Sequence, residues 1–506
     1  MNRRDLLRSS AWLALGYPIR HLSAFTPAPQ FTADPFSMSV ASGDPTRDGI
    51  VLWTRLLPDP GKSQAWEREA VSVDWQIATD ENMKNVVLKG KETARPDYGH
   101  SVHAEVKGLQ PNRWYWYRFR TSSAESVIGR TRTAPASPTD KIKFAFASCQ
   151  QFHAGYYTPY AHMAKDDIDV VLFLGDYIYE SAGGTGDRQV EGPEPMTRDD
   201  YRKRYAIYRS DKNLREVHRL FPWIITWDDH EVDNNYAGDA AQDQQTKGDF
   251  IERRAGAYQA HYEWMPLPKT VIPVNGHSRL YRRVSFGPML NFFVLDGRQF
   301  RSDQPCGDGT KAPCAEFRDD NRTMLGAEQE RWLDQQMQSS KAQWNVLANQ
   351  ARMTFVDNAP GPDEMYSMDS WTGYDAARRR LISSMRDRKL SNPVVITGDI
   401  HSNWVGDLKV DYQDPKSPIV GTEFVGTSIT SGGDGMDMNP QTERYLPDNP
   451  WVRFFNAQRG YVRCEVTKSS ITADYRVVEK VSTPESPIST RAKFIAESGR
   501  PGAQKI

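Results

Sequence analysis

The sequence predicts an α/β protein preceded by a small all-β sandwich, and three patterns predict it. Four short apolar runs, KIKFAFA, DVVLFL, WIITW and NPVVIT, are rich in β-branched or aromatic residues and read as buried strands. Amphipathic segments such as RDDYRKRYAIYR, FIERRAGAYQAHYEWM and GAEQERWLDQQMQ alternate with runs of that kind, which argues for helices layered on a sheet. Ahead of them, residues 36–137 hold short alternating strands divided by the turn signals GDPTRDG, TDEN, ARPDYG and LQPN, the pattern of an antiparallel sandwich.

Taken in order, residues 1–35 read as an export signal and linker. Paired Arg3-Arg4, then Leu6-Leu7 and a short apolar run, resemble a twin-arginine signal, with a disordered basic tail as the alternative. In the β segment, VSVDWQIA places Val73, Trp75 and Ile77 on one face. WYWYRFR places Tyr115, Tyr117 and Phe119 on one face and Trp114 and Trp116 on the other. GLQPNRWYWYRF resembles a fibronectin type III strand approach, with Leu109, Pro111 and Tyr115 at its spacing. APASPTD marks a boundary near residue 138, after which residues 138–481 form the α/β domain, with later strands in SRLYRRVSF, LNFFVLD, WNVLANQ and FVGTSIT. Residues 482–506 read as a C-terminal extension ending in one helix.

Bulk properties narrow the function. At 506 residues the chain exceeds the size at which one core splits. A net charge of −1 gives no broad positive field to gather nucleic acid, and no apolar run is long enough to span a bilayer. Cys306 and Cys314 flank the loop QPCGDGTKAPC, a natural small disulfide in an exported protein. Cys464 lies in an alternating strand and reads as a core thiol.

The chemistry sits at the strand ends. Asp176 follows DVVLFLG, where a carboxylate can bridge two cations or merely cap the next helix. Tyr179 lies three residues on, as a phenolate ligand for a hard ferric ion or as packing. Cys149 follows KIKFAFAS; thiolates select transition metals, the alternatives being a nucleophile or an inert buried thiol. Asp228-Asp229-His230-Glu231 follows WIITW, and three acids in four positions repel unless a cation compensates or a helix dipole takes them. Asp229 is the preferred ligand there, His230 a proton donor to a departing alkoxide, and Asn234 and Asn235 amide-oxygen donors to a hard cation. Asp399 and His401, one residue apart after NPVVITG, point the same way on an extended tip. Arg298 in LDGRQFR could clamp phosphate as a substrate-binding residue, or form a buried pair with an Asp.

In order, S-C, GDYIYE, WDDHE-V-x-N-N, LDxRxxR, GDIHSNW and EFVGTSITSGGDG resemble the PhoD-like alkaline phosphatases, within the wider metallophosphatase superfamily that includes purple acid phosphatases. SVASGDP and IVLWTRL extend the resemblance into the β-sandwich. It implies a four-layer αββα metallophosphatase sandwich behind a small β-sandwich. It also implies Fe(3+) and Ca(2+) cofactors, and hydrolysis of phosphate mono- and diesters at alkaline pH through metal-activated water. By position, Cys149, Asp176, Tyr179, Asp229, Asn235, Asp399 and His401 take metal-binding places and His230 the catalytic one. Partners so implied are phosphate-ester small molecules, including phospholipid or teichoic-acid-like diesters, and the twin-arginine export machinery, with a periplasmic or secreted location. A phospholipase D-type phosphodiesterase and a metal-holding adhesion protein are the alternatives.

Overall fold

The computed structural model describes residues 31–58, 65–242 and 245–506. The twin-arginine reading of Arg3-Arg4 lies outside the described residues.

Two large sheets organise the protein. The first has ten strands, and its centre is the parallel trio Lys141–Ala147, Val170–Phe173 and Pro222–Ile225. The second has eight, centred on the parallel strands Leu290–Val294, Trp344–Ala348, Pro393–Thr397 and Ile419–Val425. The seven central strands are buried at all but three positions, one of them Ile419, and so read as apolar runs rather than alternating ones. Lys141 and Lys143 are the other departures, at the start of the first strand.

Alternate side chains on these strands serve different cores, as period-two geometry requires. Phe144, Phe146, Leu172 and Ile224 of the first sheet share one apolar cluster with Phe292, Val346, Ile396 and Phe424 of the second. Their neighbours Ala145, Val171, Phe173 and Ile225 face away, into a cluster with Tyr201, Tyr205, Tyr258 and Trp264 from the helices Arg198–Arg209 and Lys247–Trp264. On the far side of the second sheet, Phe293, Leu347 and Val395 pack with Leu333, Met337, Leu381 and Met385 from the helices Gly326–Ser339 and Asp375–Asp387. Full burial of each such side chain contributes about 1.5–3 kcal/mol.

The N-terminal part is all-β. A four-stranded sheet, Val86–Ala94, Val71–Ala78, Trp114–Arg120 and Gly129–Arg132, packs Val73, Ile77, Tyr115, Tyr117 and Phe119 against Leu52, Val102 and Ala104. Those last three residues belong to strands of the ten-stranded sheet. Val40–Gly43 pairs in parallel with Pro222–Ile225, and Gly49–Arg55 and Ser101–Lys107 follow it to the sheet edge. The sandwich therefore shares one of its faces with the main sheet, and sequence position alone gives no hint of that long-range pairing.

The C-terminus differs from expectation. Residues predicted to form a helix are the strands Ile488–Glu497 and Arg500–Lys505, which extend the first sheet beyond Ser470–Val478. Ala, Lys and Glu in RAKFIAE favour a helix locally. Pairing wins because Ala492, Phe494 and Ala496 alternate into the inter-sheet core. Cys306 and Cys314 are joined in a disulfide, and Cys464 is a buried free thiol.

Candidate metal centre

The parallel strands of both sheets deliver their C-terminal ends to one rim, where open α/β sheets place ligand sites. The sheets touch there: Ser148, after the first strand, bridges in parallel to Ser428, after Ile419–Val425. Gly398 permits the approach, since a Cβ at that position would lie 2.4 Å from the Ser148 Oγ. Gly175 does the same between two site loops, with φ of 113° and an imagined Cβ 2.4 Å from the Asp228 Cβ.

Several residues of this rim have strained backbones. Cys149, Asp176, Asn235, Asp399 and His401 have φ of 56°, 59°, 50°, 67° and 55°. Left-handed conformations cost non-glycine residues about 1–3 kcal/mol each and persist where surrounding structure fixes them. Part of that fixing comes from Glu231. Its carboxylate accepts from the N–H groups of Asp176 at 3.1 Å, Tyr177 at 2.6 Å and Asp228 at 2.8 Å, tying two site loops together.

The side chains form three overlapping donor groups. Ligand atoms of Cys149, Asp176 and His401 lie within 4.8 Å of one another, as do those of Asp176, Asp229 and His230, and those of Asp228, Asp229 and Asp399. Asp176 joins the first group to the second, and Asp229 the second to the third. The Tyr179 hydroxyl adds to the first: it donates to Asp176 Oδ2 at 2.8 Å, lies 3.1 Å from His401 Nε2 and accepts from Ser431 Oγ at 2.8 Å. Its ring stacks on His230 with centroids 4.0 Å apart. His230 is fixed from behind by Glu180, whose Oε2 is 2.7 Å from Nδ1.

Asn235 donates its backbone N–H to Asp229 Oδ2 at 2.7 Å and its Nδ2 to Asp308 Oδ2 at 2.8 Å. Eight of the residues singled out from sequence thus converge. Arg298 requires correction as a substrate-binding residue. It is fully buried, and its guanidinium is taken up by Asp228 and, through two 2.8 Å bonds, by both oxygens of Asp369, with Asp229 Oδ1 3.5 Å away. Its side chain has no exposed surface, and it balances the acids from inside the protein.

The electrostatics show a cluster short of positive charge. Burial, reinforced by Asp229 and Asp228 against the relief of His230, pushes the Asp176 carboxyl well above the usual range. Burial and the charge of Asp228 do the same to Asp399. Burial raises Asp228 to about 7 despite Arg298. For Asp229 burial works upward too, but Arg298 and His230 outweigh it and hold the group below its ordinary value. Burial and Asp176 lift both the Cys149 thiol and the Tyr179 phenol. Burial opposes charge on His230, yet Asp229, Asp176 and Glu180 prevail and hold its pKa well above normal. Burial takes His401 down to about 3 and keeps it neutral. Asp176 Oδ1, Asp228 Oδ2 and Asp229 Oδ1 are buried with no hydrogen-bond partner. Such orphaned carboxylate oxygens are costly unless a cation takes them.

Sequence reasoning missed several contributors. Glu231 and Glu180 act through loop and imidazole positioning, and Asp369 and Asp308 arrive from distant loops with no motif of their own. Ser431 lies in EFVGTSITSGGDG, where its polar run was the available signal.

Fold and site together define an α/β phosphatase. The chain belongs to the PhoD-like phosphatase family: the family model matches residues 144–475, and that of the PhoD-like phosphatase N-terminal domain matches residues 22–135. It is similar to Alkaline phosphatase D of Bacillus subtilis (strain 168), at 48% identity over 519 residues that cover 100% of this chain and 89% of that protein. A solved structure of PhoD superposes with a TM-score of 0.91 at 47% identity, covering 95% of this chain and 93% of that one.

Proposed function

We propose that this chain hydrolyses phosphate mono- and diesters at alkaline pH with a ferric ion and calcium held at the joined strand tips. The observation that carries the reading is the sharing of Asp176 between two donor groups, one with a thiol and imidazole, the other with a carboxylate and imidazole. The donor chemistry fits. Cys149, Tyr179, His401 and Asp176 would hold the ferric ion, since thiol and phenol select a transition metal over calcium. Asp228, Asp229, Asp399 and the Asn235 amide oxygen would hold the hard cation. The orphaned oxygens of Asp176, Asp228 and Asp229 are the atoms such ions would satisfy. When bound, the cations supply Lewis acidity where the phosphoryl group gathers negative charge.

The protein's own part is positioning and proton transfer. Glu180 holds His230 at Nδ1, which leaves Nε2 to work at the site. So placed, Nε2 is the atom positioned to give a proton to the departing alkoxide. Tyr179 stacks beneath this ring and fixes its plane. His230→Ala should lower kcat on p-nitrophenyl phosphate by about 10²–10⁴-fold with iron content retained; unchanged kcat removes His230 from the reaction.

The three apolar clusters support a four-layer αββα arrangement, with helices outside each large sheet. Among the described residues no helix is long and apolar enough to cross a membrane. The Cys306–Cys314 disulfide suits an oxidising compartment, which agrees with export to the periplasm or medium by the twin-arginine route. Elemental analysis of the exported protein, paired with p-nitrophenyl phosphate, its bis-ester and phosphatidylcholine as substrates, tests the whole reading. Iron and calcium with turnover of the first two esters is the expected outcome. Full activity in metal-stripped protein rejects it.

A further inference from the structure

The disulfide loop lies against the site, and two of the three residues that hold Asn235 come from it. Gln304 Nε2 donates to the Asn235 backbone carbonyl at 2.6 Å and to Asp369 Oδ1 at 2.7 Å. Asp308 Oδ2 accepts from Asn235 Nδ2 at 2.8 Å and from Gln242 Nε2 at 3.4 Å. Cys306, between Gln304 and Asp308, is bonded to Cys314. The loop is anchored again just beyond: Thr310–Lys311 pairs with Tyr366–Ser367, Met368 N–H donates to the Gly309 carbonyl at 2.9 Å, and Cys306 N–H donates to Glu316 at 3.0 Å. The half-buried Cys306 packs on the cluster of Phe355, Tyr366, Met368 and Tyr412.

Asn235 is held at three points, its N–H by Asp229, its carbonyl by Gln304 and its amide nitrogen by Asp308, while its φ is 50°. An amide has two ends, and which end faces the site decides whether it offers an acceptor or a donor. Asp308 takes the donor end and leaves Oδ1 to face elsewhere. Without Asp308 the side chain loses the partner that distinguishes its two ends, and an NH₂ turned toward a cation repels it.

We infer that Asp308 is a positioning residue for the hard-cation half of the site, acting through Asn235, and that the Cys306–Cys314 disulfide keeps it in place. The inference rests on the metal reading above and names a residue outside every donor group. Residues that orient a ligand typically change metal affinity by about 10–100-fold when removed.

The test uses the full chain purified with its metals. Asp308→Ala should retain iron but lose calcium on desalting, with the calcium concentration for half-maximal activity raised about 10–100-fold and the melting temperature unchanged when calcium is saturating. Asp308→Asn keeps an acceptor oxygen and should stay within about threefold of the parent in calcium demand. The Cys306→Ser/Cys314→Ser double variant should shift in the direction of Asp308→Ala. Calcium content and demand in Asp308→Ala equal to the parent's would overturn the inference. So would an equal loss in Asp308→Ala and Asp308→Asn, which would make charge rather than hydrogen bonding the cause. A disulfide-free variant with parental calcium demand removes the sulphur clamp. A parent protein that holds no calcium rejects this inference and the calcium assignment together, whereas a calcium-loaded parent with an indifferent Asp308→Ala rejects this inference alone.

Discussion

Asp176→Ala is expected to lose metal and turnover together. Asp176 is the carboxylate common to the thiol-bearing and the His230-bearing donor groups, so its removal opens both at once. It also takes away the acceptor for the Tyr179 hydroxyl, whose other contacts are His401 and Ser431. The left-handed φ of 59° stays unfavourable for Ala, so the substitution relieves no backbone strain. Turnover of p-nitrophenyl phosphate should fall about 10³-fold or more, a barrier increase of roughly 4 kcal/mol. Iron measured on the purified variant should fall with it. Asp176→Asn separates charge from shape: it keeps the hydrogen bond from Tyr179 and should still fail to load iron. A variant that stays fully active without metal would contradict the proposed chemistry.

Arg298→Ala is expected to damage folding more than any substrate contact. Arg298 is fully buried and carries charge to Asp228 and Asp369, with Asp229 beside it. Truncation leaves those carboxylates in the interior with less compensation, and breaking a buried ion pair from one side costs about 3–5 kcal/mol. Arg301 also reaches Asp369, so part of that acid's balance survives, whereas among the described residues Arg298 is the cation paired with Asp228. Arg298→Lys should recover little, because a single ammonium cannot hold Asp228 and both oxygens of Asp369 at once. The measurement is the denaturant midpoint of metal-loaded and metal-depleted protein. The loss should be greater in the depleted form, where no cation offsets the acids. Equal midpoints for wild type and Arg298→Ala would refute the assigned role.

The parts of the fold that were legible in sequence are those built by local pattern. Strand tips at Cys149, Asp176, Asp228 and Asp399 stood out because strands buried on both faces cannot hide their polar ends. The parts that were not legible depend on partners far away. RAKFIAE is helical by propensity and a strand by virtue of Ser470–Val478 beside it. LDGRQFR left a phosphate clamp and a buried pair both open for Arg298, and the acid that decides for the pair, Asp369, comes from a separate loop. Asp308 sat in a Gly-Pro-Asp-rich loop that the sequence marked for its cysteines alone, and Ser431 in a polar run with no recognised function.

The pairing of Lys141–Ala147 with Gly460–Thr467 bears on how the molecule is made. The first central strand waits on one side for a strand synthesised long after it. The rim around Cys149 likewise waits for Ser428 and Ser431. A nascent chain halted before residue 460 would expose that strand's backbone along one edge, ready to pair with a neighbouring polypeptide. Such distant closure slows folding and exposes incomplete chains to aggregation. The donor groups at the rim are accordingly complete only after both Ser428 and Ser431 have been made and docked.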